Sequence, residues 1–348
     1  MNAVPADIQA MINLNIEYIV VGASIMIENI IVMLVFLSSS SLRRKYHLLI
    51  ALAIADALAG CSTLTAGYGR HLIYTKWPDL PNSTTVMDCV RTGWPPLLAI
   101  GGLWPATLVL VIGIERALAV FTPMFYHARY TTKHRWFLII ASLLIVLIGL
   151  LCAYLDAALR NGSKPAKFAC SMDDTFPPLF NHYHRTAIIC LHIAGLCLSV
   201  TAFQSARKQS RLAGSRGTEM RGEMKRIVAI MAISGFSTVL VSCPMFILWG
   251  FYLGIFSLPA GLSSYFFFIV FNCNSSLGLF IYLFLKKDFR SHFVHLITFK
   301  SLRFHGAARA SAQPVAASSS DHNSRAAGHF TSRQSRAVQW NNFRHGAL

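Results

Sequence analysis

The chain has 348 residues, of which 54% are hydrophobic and 13% charged, and its mean hydropathy is +0.50. Average globular domains carry about 25% charged residues, so a water-soluble core and a wholly disordered chain are both excluded. With 31 Lys and Arg against 14 Asp and Glu the net charge is +17, and the first question is which side of a membrane holds that excess.

The apolar residues fall into seven blocks, 18–38, 47–69, 94–120, 136–158, 186–206, 227–251 and 261–285. Each approaches or exceeds the roughly 20 residues that a helix needs to cross a bilayer. The first block follows a short acidic start with no basic n-region and no small-residue cleavage site, so it reads as a retained helix rather than a signal peptide. The basic residues then set orientation. The segments around Arg43–Lys45, Arg116–Arg135 and Arg207–Arg226, with everything from Lys286 onward, hold 24 of the 31, and the alternate loops hold seven. Positive charge marks the cytoplasm. The C-terminus is therefore expected inside and the N-terminus outside, as in a multi-pass plasma-membrane protein. The charge then faces anionic lipid, and no nucleic-acid partner is needed to explain it.

The expected organisation is all-α: a seven-transmembrane helix bundle with an amphipathic surface helix and a disordered tail. Residues 1–17 form a short extracellular N-terminus, and 18–285 the seven-span domain. Residues 286–300, which alternate basic and apolar positions at helical spacing, lie on the membrane surface. Residues 301–348, rich in Ala, Ser, Arg, His and Gln, are expected to be a disordered cytoplasmic tail. Six of the eight cysteines lie within spans, where a free thiol behaves as a small hydrophobe. The other two, Cys89 and Cys170, both fall on the outer, oxidising side, where disulfides persist, and they are expected to be bonded. The same side carries two glycosylation sequons, at Asn82 and Asn161.

Ionisable groups near the bilayer centre are costly, so each asks for an explanation. Glu28, beside Asn29, lies in the first span and Asp56 in the middle of the second, with Asn274 and Ser275 available from the seventh. Asp56 reads either as a hydrogen-bonded structural carboxylate or as a group that changes protonation or ion occupancy when the bundle rearranges. At the cytoplasmic end of the third span stands Glu115-Arg116, shortly before Pro123. An adjacent acid–base pair at a helix end is usually a solvated surface feature, but helix movement here would expose or cover the arginine.

Taken in order, these residues resemble a rhodopsin-like G-protein-coupled receptor. The matches are Asn29, the Leu-Ala-x-Ala-Asp run ending at Asp56, Cys89 with Cys170, Glu115-Arg116 before Pro123, Pro244 in span six, and Asn274-Ser275-Ser276 running to Tyr282. Within that family the Ala-Asp-Ala-Leu-Ala-Gly-Cys-Ser of span two and Phe-Ile-Tyr of span seven are most similar to nematode chemosensory serpentine receptors. The chain departs from the family at Gly278-Leu279, where Asn-Pro is usual, at Ser242, where a tryptophan is usual, and at span four, whose Trp136 stands at the helix start. Pro105 replaces a serine that often completes a sodium site with the Asp56 equivalent, so sodium at Asp56 is an expectation with one ligand missing.

The resemblance implies a receptor that binds an extracellular small molecule or peptide and activates a heterotrimeric G protein, with arrestin and kinases as partners of the tail. It implies a coupling switch at Glu115, Arg116, Pro123, Glu223, Pro244 and Tyr282, with Glu223 reaching Arg116 across the bundle. Helical spacing places Trp94, Leu98 and Gly102 of span three on a ligand-facing side. Met245, Phe246 and Trp249 follow the span-six kink, and Tyr265, Phe268 and Asn272 face inward from span seven. No acid lies on that side of span three, which disfavours an amine ligand. No cofactor is expected. A peptide-type receptor is the alternative within the family. A secondary transporter using Asp56 would need internal symmetry and more buried charge, and a membrane enzyme would need a reactive constellation, whereas His192 stands alone in its span.

Overall fold

The computed structural model describes residues 6–76, 84–167, 169–212, 228, 231–232, 234–255 and 264–298, with the backbone alone at 6, 7, 127, 160, 161, 210–212, 252 and 264–269. Among them, six helices are long and apolar enough to cross a membrane, and the shorter apolar helix Val270–Leu285 joins them. In chain order the elements are α1 (Ala6–Ser38), α2 (Ser40–Lys45), α3 (His47–Tyr74), β1 (Thr84–Thr85), α4 (Val86–Arg91), α5 (Trp94–Phe121), α6 (Pro123–Arg129) and α7 (Thr132–Asn161). They continue with β2 (Pro165–Ala166), α8 (Met172–Thr175), α9 (Pro178–Leu212), a π-turn at Thr238–Ser242, α10 (Cys243–Tyr252), α11 (Ser264–Leu285) and α12 (Lys287–Ile297).

The first helix begins twelve positions before the expected span boundary. Ala6–Glu17 contains no proline or glycine, and its inner face is tied to the bundle: Asn15 is buried, and its backbone carbonyl faces Gly67 of α3. The short start is therefore a helical extension rather than an extended segment. A small outer hairpin, in which β1 pairs antiparallel with β2 in the register Thr84↔Ala166 and Thr85↔Pro165, has no signal in hydropathy. Thr85 caps α4, and its hydroxyl and backbone N–H hold the Asp88 carboxyl below the usual carboxylate range.

α3 and α5 form the centre. Their apolar windows are 61% buried, against 22% for α7, so α7 is the peripheral helix. Its Ile140, Leu144, Ile145, Ile148 and Leu151 are exposed, an apolar surface that only lipid accommodates. α1 packs along α3, α3 against α5, and α5 against α9, while α11 closes back onto α1. The α1–α3 crossing depends on small residues. A Cβ added at Gly60 would lie 2.7 Å from Met26 N and 2.8 Å from Gly22 O, and small-residue contacts of this kind let membrane helices approach closely.

Two local features interrupt the regular helices of the bundle. Pro105 sits inside α5, where it removes an intrahelical hydrogen bond. The π-turn at Thr238–Ser242 runs directly into Cys243-Pro244 at the start of α10, and Pro244 is buried. A π-turn carries one residue more than the same length of α-helix, so it rotates the face that α10 presents. At the inner end, α12 is the expected amphipathic helix. Phe289 is buried, with its ring 5.1 Å from Phe36 and 5.4 Å from Tyr282, while Arg290 and Ser291 are exposed.

Candidate functional site

The hairpin end of the bundle, expected to be the outer one, holds a cavity of about 640 Å³, within the size range of ligand sites. Its roof is built first by a covalent tie. Cys89 in α4 is disulfide-bonded to Cys170, with Cα atoms 5.1 Å apart. Cys170 has φ of 46°, a left-handed conformation rare for any residue but glycine. The roof segment is also held from below. Arg70 of α3 donates its Nε–H to the Ala169 carbonyl at 2.9 Å and an Nη2–H to the Cys170 carbonyl at 3.5 Å, and Trp94 donates its indole N–H to the same Cys170 carbonyl at 3.1 Å. The mouth is thus covered by a segment fixed from two helices and one disulfide.

Of the expected ligand-facing residues, Leu98, Gly102, Met245 and Asn272 line this cavity. Trp94 instead supports the roof and packs on Gly69. Phe246 is 50% exposed on the outside of the bundle, and Trp249 donates its indole N–H to His182 Nδ1 of α9 at 3.2 Å. Neither borders the cavity, to which α10 turns Met245, Leu248 and Phe251. The side chains of Tyr265 and Phe268 lie outside the described residues.

The lining also includes residues that sequence reasoning missed: Tyr18, Ser62, Thr63, Arg70, Lys167, Asp173, His184 and Arg185. Arg185 binds both carboxylate oxygens of Asp173 at 2.7 Å. His184 lies 3.1 Å from the Ala99 carbonyl, and Thr63 donates to Asn272 Oδ1 at 3.2 Å. Charge on the loops was legible as topology but not as cavity wall.

Midway down, Ser275 donates its hydroxyl to Asp56 Oδ1 at 3.0 Å, and Asn29 donates its amide to the Ser275 carbonyl at 3.0 Å. Asn29 and Asp56, with Asn274, His192, Pro105 and Tyr282, border a space of only about 20 Å³, room for about one water. A hard cation needs several oxygen ligands. Asp56 is the one carboxylate among the described lining residues, and Pro105 brings no side-chain oxygen, so the serine ligand that the resemblance implies is missing. Glu28 of α1 has a buried Oε2 with no hydrogen-bond partner among the described residues. The tryptophan absent from mid-span four has a counterpart on its neighbour: Trp104 of α5 donates to Ser142 of α7 at 3.3 Å.

At the inner end, Glu115 is 3% exposed and collects three donors. Arg116 Nη2 lies 3.0 Å from one carboxylate oxygen, while Arg135 Nε at 2.9 Å and the Tyr126 hydroxyl at 3.2 Å reach the other. Arg135 also donates to Tyr126 at 3.0 Å and lies over the Tyr130 ring, which stacks on Tyr126. Burial first, and the Glu115 carboxylate second, push both phenols above the usual tyrosine range, so both stay protonated at neutral pH and Tyr126 acts as a donor. The expected Glu115–Arg116 pair is present, and Arg135 of α7 is the unforeseen member. Pro123 starts α6 and so positions Tyr126. Tyr282 is buried against Phe36, their rings 5.2 Å apart. Glu223 and Asn82 lie outside the described residues, as does the side chain of Asn161.

No curated protein matches the chain. The family model described as serpentine type 7TM GPCR chemoreceptor Srsx matches residues 19–297, from the first span to the end of α12. The chain belongs to that family of seven-transmembrane chemosensory receptors.

Proposed function

We propose that the protein is a plasma-membrane chemoreceptor that takes an extracellular small molecule in the roofed outer cavity and activates a heterotrimeric G protein through Arg116. The observation that carries this reading is the arrangement along one helix. α5 contributes Leu98 and Gly102 to the cavity and Glu115-Arg116 to the inner cluster, so movement of α5 against α7 and α9 links the two ends. Binding drives such a change only through different affinities for the closed and open bundles. Asp56, Ser275 and Asn29 tie α1, α3 and α11 midway. The basic inner face and α12 rest on anionic lipid, and the tail is the surface for kinases and arrestin.

Glu115 holds the closed state by pairing with Arg116 and Arg135 at a mostly dry junction. Hydrogen bonds to charged groups contribute about 1.5–3 kcal/mol, and every 1.4 kcal/mol is about tenfold in an equilibrium. Glu115→Gln, and separately Arg135→Gln, should therefore raise ligand-free signalling several-fold at matched surface expression. Unchanged basal signalling in both would show that the cluster does not restrain the receptor.

Topology is tested by tags at the two ends. On intact cells an N-terminal tag should be labelled by antibody and a C-terminal tag only after permeabilisation. The reverse pattern would end the receptor reading.

A further inference from the structure

We infer that the outer cavity selects an organic anion, a small carboxylic acid whose carboxylate meets Arg70 under the roof and whose apolar body lies below. This rests on the reading that the outer cavity is the ligand site. Arg70, Lys167 and Arg185 all line the cavity, and Asp173 is the one acid among the described lining residues. Asp173 is taken up by Arg185, with both oxygens at 2.7 Å from Nη2. Arg70 donates to the backbone carbonyls of Ala169 and Cys170; Asp174 acts on it only at longer range, and no carboxylate among the described residues lies within ion-pair distance of it.

A part-buried guanidinium hydrogen-bonded to carbonyl dipoles has lost water without gaining a counter-ion in contact with it. Its planar fork matches a carboxylate, which can take two parallel hydrogen bonds. The carbonyl contacts fix that fork in place before a ligand arrives, which lowers the ordering cost of binding. Elsewhere in the cavity, Leu98, Met245, Leu248, Phe251 and Phe271 supply the apolar wall. A cationic ligand would meet Arg70 and Lys167, which have no contact ion pair among the described residues, and a neutral one would leave Arg70 as it stands. The cavity therefore prefers the acid to the ester or the amine of the same skeleton.

The test is thermal unfolding of the purified full-length receptor in lipid nanodiscs. The probes are a graded series from acetate to decanoate with phenylacetate, the matching methyl esters, the matching primary amines, and inorganic phosphate. The longer acids and phenylacetate should raise the midpoint in a saturable way, while esters, amines and phosphate should not. Arg70→Gln should weaken the acid effect by about tenfold or more, and Arg70→Lys should recover part of it. Since Arg70 also supports the roof, the acid–ester–amine comparison on the unaltered chain stands without any variant.

Equal stabilisation by esters or amines, a shift with phosphate alone, no shift with any acid, or undiminished acid affinity in a folded Arg70→Gln would each overturn the inference. The readout contains no G protein. Acid-specific stabilisation without signalling in cells would refute coupling and leave the ligand class intact, whereas activation by an amine through the same cavity would refute the ligand class alone.

Discussion

Arg116→Ala is expected to bring ligand-driven signalling down to the level of cells lacking the receptor, while ligand affinity at the outer cavity stays largely unchanged. Arg116 is at the inner end of α5, and the cavity residues Leu98 and Gly102 lie several turns away on the same helix. In the closed bundle its guanidinium has one described carboxylate contact, to Glu115 at 3.0 Å, and its Nε is buried with no hydrogen-bond partner among the described residues. A buried cation that is only partly satisfied is poorly stabilised where it is, so an opening that offers it backbone carbonyls of a bound partner is favoured. Alanine removes that gain without touching the cavity wall. Binding of a labelled ligand and second-messenger output, measured on the same cells at equal surface expression, separate the two effects. Normal signalling by Arg116→Ala would mean that coupling runs through other residues.

The second large effect is expected at the disulfide. Cys89 and Cys170 are buried and 81 residues apart. A closed loop of that length is worth about 4 to 5 kcal/mol in the chain-entropy account, and less here, because inserted helices already restrict the unfolded chain. Cys170 also presents the carbonyl that Arg70 and Trp94 grip, so opening the bond frees the roof as well as the chain. Cys89→Ser and Cys170→Ser should each cut surface expression and lower the thermal midpoint to a similar degree. The double variant should be no worse than either single, because both break one bond. Additive losses would show that the two sulfurs act separately.

The spans were readable because hydropathy is a local property. Every apolar block that falls on described residues is helical, and even the early start at Ala6 follows from a stretch free of helix breakers. The cavity was only half readable. Leu98 and Gly102 followed from helical spacing on one face of α5, Met245 from its place after the span-six kink, and Asn272 from the inward face of span seven. Phe246 and Trp249 failed because α10 turns the face of Met245, Leu248 and Phe251 to the cavity, and a kink by itself does not say which face follows it. Arg70, Asp173 and Arg185 escaped notice because their meeting depends on the disulfide, the β1–β2 hairpin and α8 folding the 165–185 segment over the mouth. Arg135 is a similar case. Its charge told the side of the membrane, but its contact with Glu115 crosses from α7 to α5, a tertiary relation that spacing within one helix does not express.

In the proposed mechanism a molecule in the outer cavity drives G-protein activation at the inner face. Energy transfer between labelled G-protein subunits, in living cells challenged with a chemical panel that includes the carboxylic acids, reads that coupling. A concentration-dependent response is expected, lost in Leu98→Trp, which fills the cavity, and lost in Arg116→Ala, with both variants at normal surface levels. A response that survives filling of the cavity would show that the activating molecule binds elsewhere.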